Sequence, residues 1–122
     1  NVALMARELI LQPMTTIDRL RKYLYENGFK ITDENIVKEF HHYYFIIKAV
    51  PGEDEPFDEI YFEISNILLK KKDRLMYEYL NKILKVNENI ISSIEKNSDS
   101  VYNEKIETLN EKNNKIREMM KN

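Results

Sequence analysis

The segment YYFIIKAV, Tyr43 to Val50, decides how the first half of this chain is read. It is rich in aromatic and β-branched residues, which suit the pleated, half-buried surface of a strand. The connection to it from the apolar pair Ile36-Val37, through Glu39-Phe40-His41-His42, is short, so the two runs are expected to form an antiparallel hairpin. Phe29, Ile31 and Ile36-Val37 make up the partner strand, broken or bent at Thr32-Asp33-Glu34-Asn35. Before it, Ile17, Leu20 and Leu24, with Tyr23 one position off, follow helical spacing. Thr15-Thr16 offers an N-cap, Asp18 suits the first-turn dipole, and Asn27-Gly28 closes the helix because glycine accepts the left-handed conformation.

Leu9-Ile10-Leu11 is a continuous apolar run stopped by Gln12-Pro13, which reads as a strand buried on both faces. Strand, helix, strand, strand is the closing quarter of an α/β sheet. A strand apolar on both faces needs neighbours that residues 1 to 8 do not supply, so the expectation is a piece of a larger sheet.

Composition bounds the rest. The chain has 122 residues, 43% hydrophobic and 33% charged, which is the make-up of a globular domain. No apolar run approaches the roughly 20 residues needed to cross a bilayer, and NVALMARELI reaches Arg7-Glu8 before any secretory apolar stretch develops. The absence of cysteine excludes disulfides, thiolate catalysis and cysteine-ligated zinc, and fits a cytoplasmic protein. A net charge of -2 gives no global pull toward polyanions, so any such site is a local patch. Gly28, Pro51, Gly52 and Pro56 cluster together, and neither residue type follows Pro56. That shift divides a mixed first half from a helical second half. GEDEPFDE, Gly52 to Glu59, is read as an acidic solvated linker.

The second half is read as two helices. From Asp73 to Asn97 one seam runs Met76, Tyr79, Ile83, Val86, Ile90, Ser93, Asn97, and a second runs Leu80, Leu84, Asn87, Ile91, Ile94. The apolar face is wide and should meet more than one partner. After the polar turn Asn97-Ser98-Asp99-Ser100, in which Asp99 or Ser100 is a cap, a narrow heptad seam follows: Tyr102, Ile106, Leu109, Asn113, Ile116, Met120. An antiparallel helical hairpin is the economical arrangement, with Asn113 as a register-setting polar residue.

Chemistry-bearing motifs are sparse. There is no GxGxxG, GxxxxGK[ST], GxSxG or HExxH. Neighbouring strand residues point to opposite faces, so His41-His42 does not read as a metal site. Lys70-Lys71-Lys72 with Arg74 is the basic cluster, either a solvated helix start or a phosphate-contacting patch. Arg19, Arg21 and Lys22 add positive charge on the first helix.

Taken together, LILQPM, then IDRLRKYLYENGFKITDENIVKE, then YYFIIKAV resembles the bacterial TrmK family of class I S-adenosylmethionine-dependent tRNA (adenine-22-N1)-methyltransferases. The likeness lies in Leu9 to Pro13, Leu20-Arg21-Lys22-Tyr23-Leu24, Asn27-Gly28, Ile31 to Val37, Tyr44, and Leu68 to Leu80. Phe40-His41 stands where the family's hairpin turn has an Asp-Gly-like pair, and Ser65-Asn66 where it has Gly-Pro. The resemblance implies an α/β fragment, the end of a Rossmann-like methyltransferase sheet, followed by an antiparallel α-helical hairpin or coiled coil. Its divisions would be 1-51 (the end of the sheet), 52-59 (the acidic linker) and 60-122 (the helical hairpin).

By the same resemblance the cofactor loop and the catalytic loop precede Leu9, so no catalytic, cofactor-binding or metal residue is expected in this chain, which would be inactive alone. Gln12-Pro13 would shape the rim of the substrate cleft. Lys70, Lys71, Lys72 and Arg74 are the candidate tRNA contacts. The whole protein would use S-adenosylmethionine and bind tRNA. The alternative reading is a non-enzymatic helical interaction module that self-associates, as a homodimer through the exposed sheet edge or the wide helix face.

Overall fold

The computed structural model describes residues 9–11, 17–55, 58–97 and 103–121. Gln12-Pro13, the Thr15-Thr16 cap, the Asp99 or Ser100 cap and Tyr102 lie outside them. Contacts group the chain into two units, Asn1–Leu75 and Met76–Asn122.

In the first unit the elements are β1 (Leu9–Leu11), α1 (Ile17–Glu26), β2 (Phe29–Glu39), β3 (His42–Pro51), α2 (Ile60–Glu63) and α3 (Asn66–Lys70), then the start of α4 (Arg74–Lys96). The sheet order is β1-β3-β2, with both pairings antiparallel. The expected hairpin is therefore present, and β1 and β2 run parallel to one another on either side of β3. Gly28, at φ +79, ends α1, and Asn27 N–H and Nδ2 both donate to Tyr23 O. That is the glycine-closed helix end anticipated from Asn27-Gly28.

One irregularity decides which side chains face inward. Ile31 lies opposite Ala49 and Asp33 opposite Lys48, leaving Thr32 as an extra residue in β2. Its Oγ1 donates to Lys48 O at 3.2 Å. An extra residue reverses side-chain alternation. Phe29 and Ile31 face the core before the bulge, and Glu34 and Ile36 after it. The bend expected at residues 32 to 35 is this single bulge within a continuous strand. Leu24, Phe29, Ile47 and Ala49 form the buried core, with Ile17, Leu20 and Ile31 packed against it.

Arg21, whose direction the sequence left open, also lies on this inner face, 3% exposed. Its Nη2 donates to Glu34 Oε1 at 2.8 Å, and its Nε lies 3.3 Å from both carboxylate oxygens. Nη1 donates to Phe62 O at 2.7 Å and Glu63 O at 3.0 Å, and the guanidinium sits 5.4 Å from the centre of the Phe45 ring. One side chain thus joins α1, β2, β3 and α2. Its position is explained by spacing, because residue 21 stands four after Ile17 and three before Leu24 on the same helical face.

Ile10 is 70% exposed, as expected of a doubly apolar strand whose neighbours on one face are absent among the described residues. It pairs with Lys48, on the face opposite the Leu24–Phe29–Ile47–Ala49 core, and no described element covers it there. The turn of the hairpin is Phe40-His41, with Phe40 at φ +57. A non-glycine residue there costs about 1–2 kcal/mol.

Residues 60 to 70 depart from the two-helix reading, forming α2 and α3 within the first unit. Asp58 Oδ1 accepts from Ile60 N–H, and Ser65 Oγ accepts from Leu68 N–H, so α3 starts on a side-chain cap and α2 on an aspartate one residue before its cap.

The second unit holds most of α4 and all of α5 (Asn103–Lys121). Met76, Leu80, Leu84, Asn87 and Ile91 are the buried residues of α4. The buried stripe is thus mainly the second expected seam, and Val86 of the first is 47% exposed. On α5, Asn113 and Ile116 are buried, as the heptad seam anticipates. Asn87 Nδ2 donates to Asn113 Oδ1 at 2.8 Å, and Asn113 Nδ2 donates to Leu84 O at 3.3 Å. An exposed Arg117–Glu88 pair at 2.7 Å contributes little beside this buried contact.

Two stability predictions follow from these contacts. Glu34→Leu should destabilise the chain by about 3–5 kcal/mol because it strands a buried guanidinium, and adding Arg21→Met should restore much of the loss. Urea unfolding of the two single variants and the double variant checks this; a double variant no better than Glu34→Leu counts against it. Asn113→Leu should cost about 1–3 kcal/mol by leaving the Asn87 amide unbonded, whereas Asn87→Leu with Asn113→Leu should be close to neutral in thermal unfolding.

Candidate functional site

The basic stretch Lys70 to Arg74 acquires its shape from two helix ends. Lys72 N–H donates to Leu69 O and Asp73 N–H to Leu68 O, which closes α3 with Lys72 in the left-handed region at φ +54. Asp73 Oδ1 then accepts Leu75 N–H at 2.9 Å and caps α4. A chain reversing so tightly cannot send all its side chains the same way. Lys71 turns to the sheet, where its Nζ lies 2.6 Å from Asp33 Oδ1 and donates to Glu34 O at 2.7 Å. Lys70, Lys72 and Arg74 are exposed, with no partner among the described residues.

Lys71 is thus a tether rather than a free cation. Its ammonium, bonded to Asp33, holds that carboxyl below the ordinary range; partial desolvation opposes this, and the Glu34 N–H adds to the lowering. A depressed carboxyl contributes stability above its unfolded pKa of 3.8 and loses it as pH falls through the lower folded value, so the tether is intact at neutral pH.

Lys70 also stands beside a cavity of about 220 Å³ lined by Arg21, Tyr25, Phe29, Glu34 and Tyr61 among others. The lining combines the Arg21–Glu34 pair with three aromatic rings, Tyr25, Phe29 and Tyr61. The sequence reading missed this cavity because it depends on the bulge at Thr32, which no turn motif announces.

The remaining candidates are placed as follows. Gln12 and Pro13 lie outside the described residues. His41 sits in the hairpin turn and His42 opens β3, both exposed, and no cluster of metal-ligating side chains occurs among the described residues. The two glycines form no cofactor cradle: Gly28 ends α1, and Gly52 N–H donates to Gly28 O at 2.9 Å. What the described surface can do chemically is contact an anion through Lys70, Lys72 and Arg74.

The family model TrmK, described as tRNA (adenine(22)-N(1))-methyltransferase, matches residues 2–121. A comparison with curated proteins finds no match. Among solved structures, a Listeria monocytogenes protein superposes with a TM-score of 0.84 at 26% identity, over 94% of this chain and 51% of its own. A Streptococcus agalactiae protein of the NADB-Rossmann superfamily does so at 0.79 and 24% identity, over 94% and 48%. M. capricolum TrmK, in complex with the cofactor product S-adenosyl-homocysteine, gives 0.72 and 22% identity, over 94% and 49%. The chain spans about half the length of these structures. The S. agalactiae likeness gives the fold a Rossmann-like neighbour. With the family match running from residue 2 to residue 121, the chain belongs to the TrmK family.

Proposed function

We propose that this chain is the C-terminal portion of an S-adenosylmethionine-dependent tRNA (adenine-N1)-methyltransferase, and that its own part in the reaction is to help hold the tRNA. The observation that carries the reading is the family match over residues 2–121 in a chain spanning half the length of its structural neighbours. In this reading β1, α1 and the β2–β3 hairpin finish the methyltransferase sheet, and α4 with α5 form the helical hairpin. The contact of Asn87 with Asn113 supports a coiled-coil arrangement, since a buried asparagine pair fixes register. Residues 52-59 remain the proposed linker, although α2 and α3 beyond them are bound back to the sheet by Arg21 and Lys71.

S-adenosylmethionine would supply the methyl group, from a site that in this reading precedes Leu9 in the whole protein. The chain's contribution is the exposed trio Lys70, Lys72 and Arg74 placed against phosphates, with Lys71 fixing the turn that presents them. A cytoplasmic setting accords with a tRNA substrate and a cysteine-free chain.

A second reading, self-association, is favoured by Ile10, 70% exposed on a strand whose outer edge is unpaired among the described residues. Light scattering separates the two, since a strict monomer at high concentration removes the second.

Titration calorimetry of the 122-residue chain with S-adenosylmethionine should give no binding heat; saturable binding contradicts the assignment. Replacing Lys70, Lys72 and Arg74 by Glu should weaken tRNA binding about tenfold or more near 150 mM salt and flatten its salt dependence. An unchanged affinity removes the basic turn from the tRNA surface. Lys71→Glu should instead lower the melting temperature.

A further inference from the structure

Phe40 combines two unfavourable features. It is 86% exposed, the most exposed of the large hydrophobic residues described, and its backbone sits at φ +57, where glycine, asparagine or aspartate is the ordinary occupant of a two-residue hairpin turn. Neither burial nor backbone preference in this fold accounts for phenylalanine at that position. An outlier of this kind at a surface tip points to use by something outside the fold.

Its place in the sheet indicates which side that partner approaches from. β1 and β2 are both antiparallel to β3, so their carboxyl ends lie at the same end of the sheet. In open α/β sheets ligands bind beyond the carboxyl ends of the strands. Leu11, at the carboxyl end of β1, pairs with Ile47, whereas β2 continues to Glu39 opposite His42. The hairpin therefore projects beyond β1 by about five residues, roughly 17 Å at the usual strand rise, and Phe40 is its foremost apolar group. Behind it the Lys38 ammonium lies 5.4 Å from the Tyr43 ring centre, and the His42 and Tyr44 rings are 6.4 Å apart. These neighbours engage one another along the hairpin, so Phe40 stands forward of a braced stem with its ring accessible.

We propose that Phe40 stacks on an unpaired base of the RNA substrate, with the β2–β3 tip acting as a stacking platform at the ligand edge of the sheet. The inference rests on the tRNA reading above. Single-stranded and looped RNA is recognised by stacking of splayed bases on aromatic side chains, with cations nearby for the backbone. Lys38 provides such a cation within two residues of the ring.

The test compares the chain with Phe40→Gly and Phe40→Trp, measuring affinity for a labelled unmodified tRNA transcript, melting temperature and solution mass. Phe40→Gly relieves the turn strain, so it should hold or raise the melting temperature while weakening tRNA binding about tenfold. Phe40→Trp should retain the affinity because it keeps a π-face. Wild-type binding with Phe40→Gly equal to it overturns the stacking role and leaves the tRNA reading intact. A fall in melting temperature with Phe40→Gly makes Phe40 a structural residue and also overturns the role. A change from dimer to monomer at unchanged affinity reassigns the tip to a second copy. No binding by the wild-type chain overturns the tRNA contribution and the stacking role together.

Discussion

The arrangement of the first unit depends on one buried ion pair, Arg21 with Glu34, each 3% exposed. Desolvating two charges is costly, and a pair of this kind is a poor source of net stability. What it contributes is placement. The guanidinium has donors directed at a carboxylate on β2 and at two carbonyls on α2, and only one relative position of α1, β2 and α2 satisfies them together. An apolar residue at position 21 could slide; a guanidinium in this setting cannot, because any slip leaves a buried charge without its partner.

The basic turn is a consequence of that placement. Glu34 is held through its carboxylate by Arg21 and through its carbonyl by Lys71, while its N–H donates to Asp33 Oδ1. The bulge residues and the end of α3 are thereby tied to one short stretch of β2. Lys71, drawn inward, also covers part of the outer edge of β2, where a cation discourages pairing with another strand. The neighbouring cations Lys70, Lys72 and Arg74 are exposed. The fold and the candidate phosphate surface thus share residues, and the middle lysine of the triplet differs in role from those beside it.

Much of this was readable in the residues themselves. The hairpin, the glycine-closed α1, the bounds of α4 and the seam position of Asn113 followed from local patterns that tertiary packing did not override. The Arg21–Glu34 pair was not, although position 21 lies squarely on an apolar helical face, because composition treats arginine as surface until a buried partner is known. That partner could not be found either, since a strict alternation from Phe29 and Ile31 sends residue 34 outward, and only the extra residue Thr32 brings it in. The exposure of Ile10 has a different origin. An apolar run records what a strand packs against in its full setting, and the described residues place nothing over that face of β1.

Buried polar contacts recur at the point in each unit where elements could slip. In the second unit the Asn87–Asn113 bond occupies the place that Arg21–Glu34 holds in the first: it lies among apolar neighbours, adds little to stability, and is satisfied at one helical register. Both surfaces proposed to face RNA carry features that burial cannot explain, namely three exposed cations without a partner among the described residues and a strained, exposed phenylalanine on a hairpin tip. The basic turn follows β2 by way of α3, and the phenylalanine terminates β2 itself. A strand held at Glu34 from both sides can therefore position cations through Lys71 and an aromatic ring through its own carboxyl end, so the polar contact that looks weakest as a stabiliser is the one on which the geometry of a recognition surface rests.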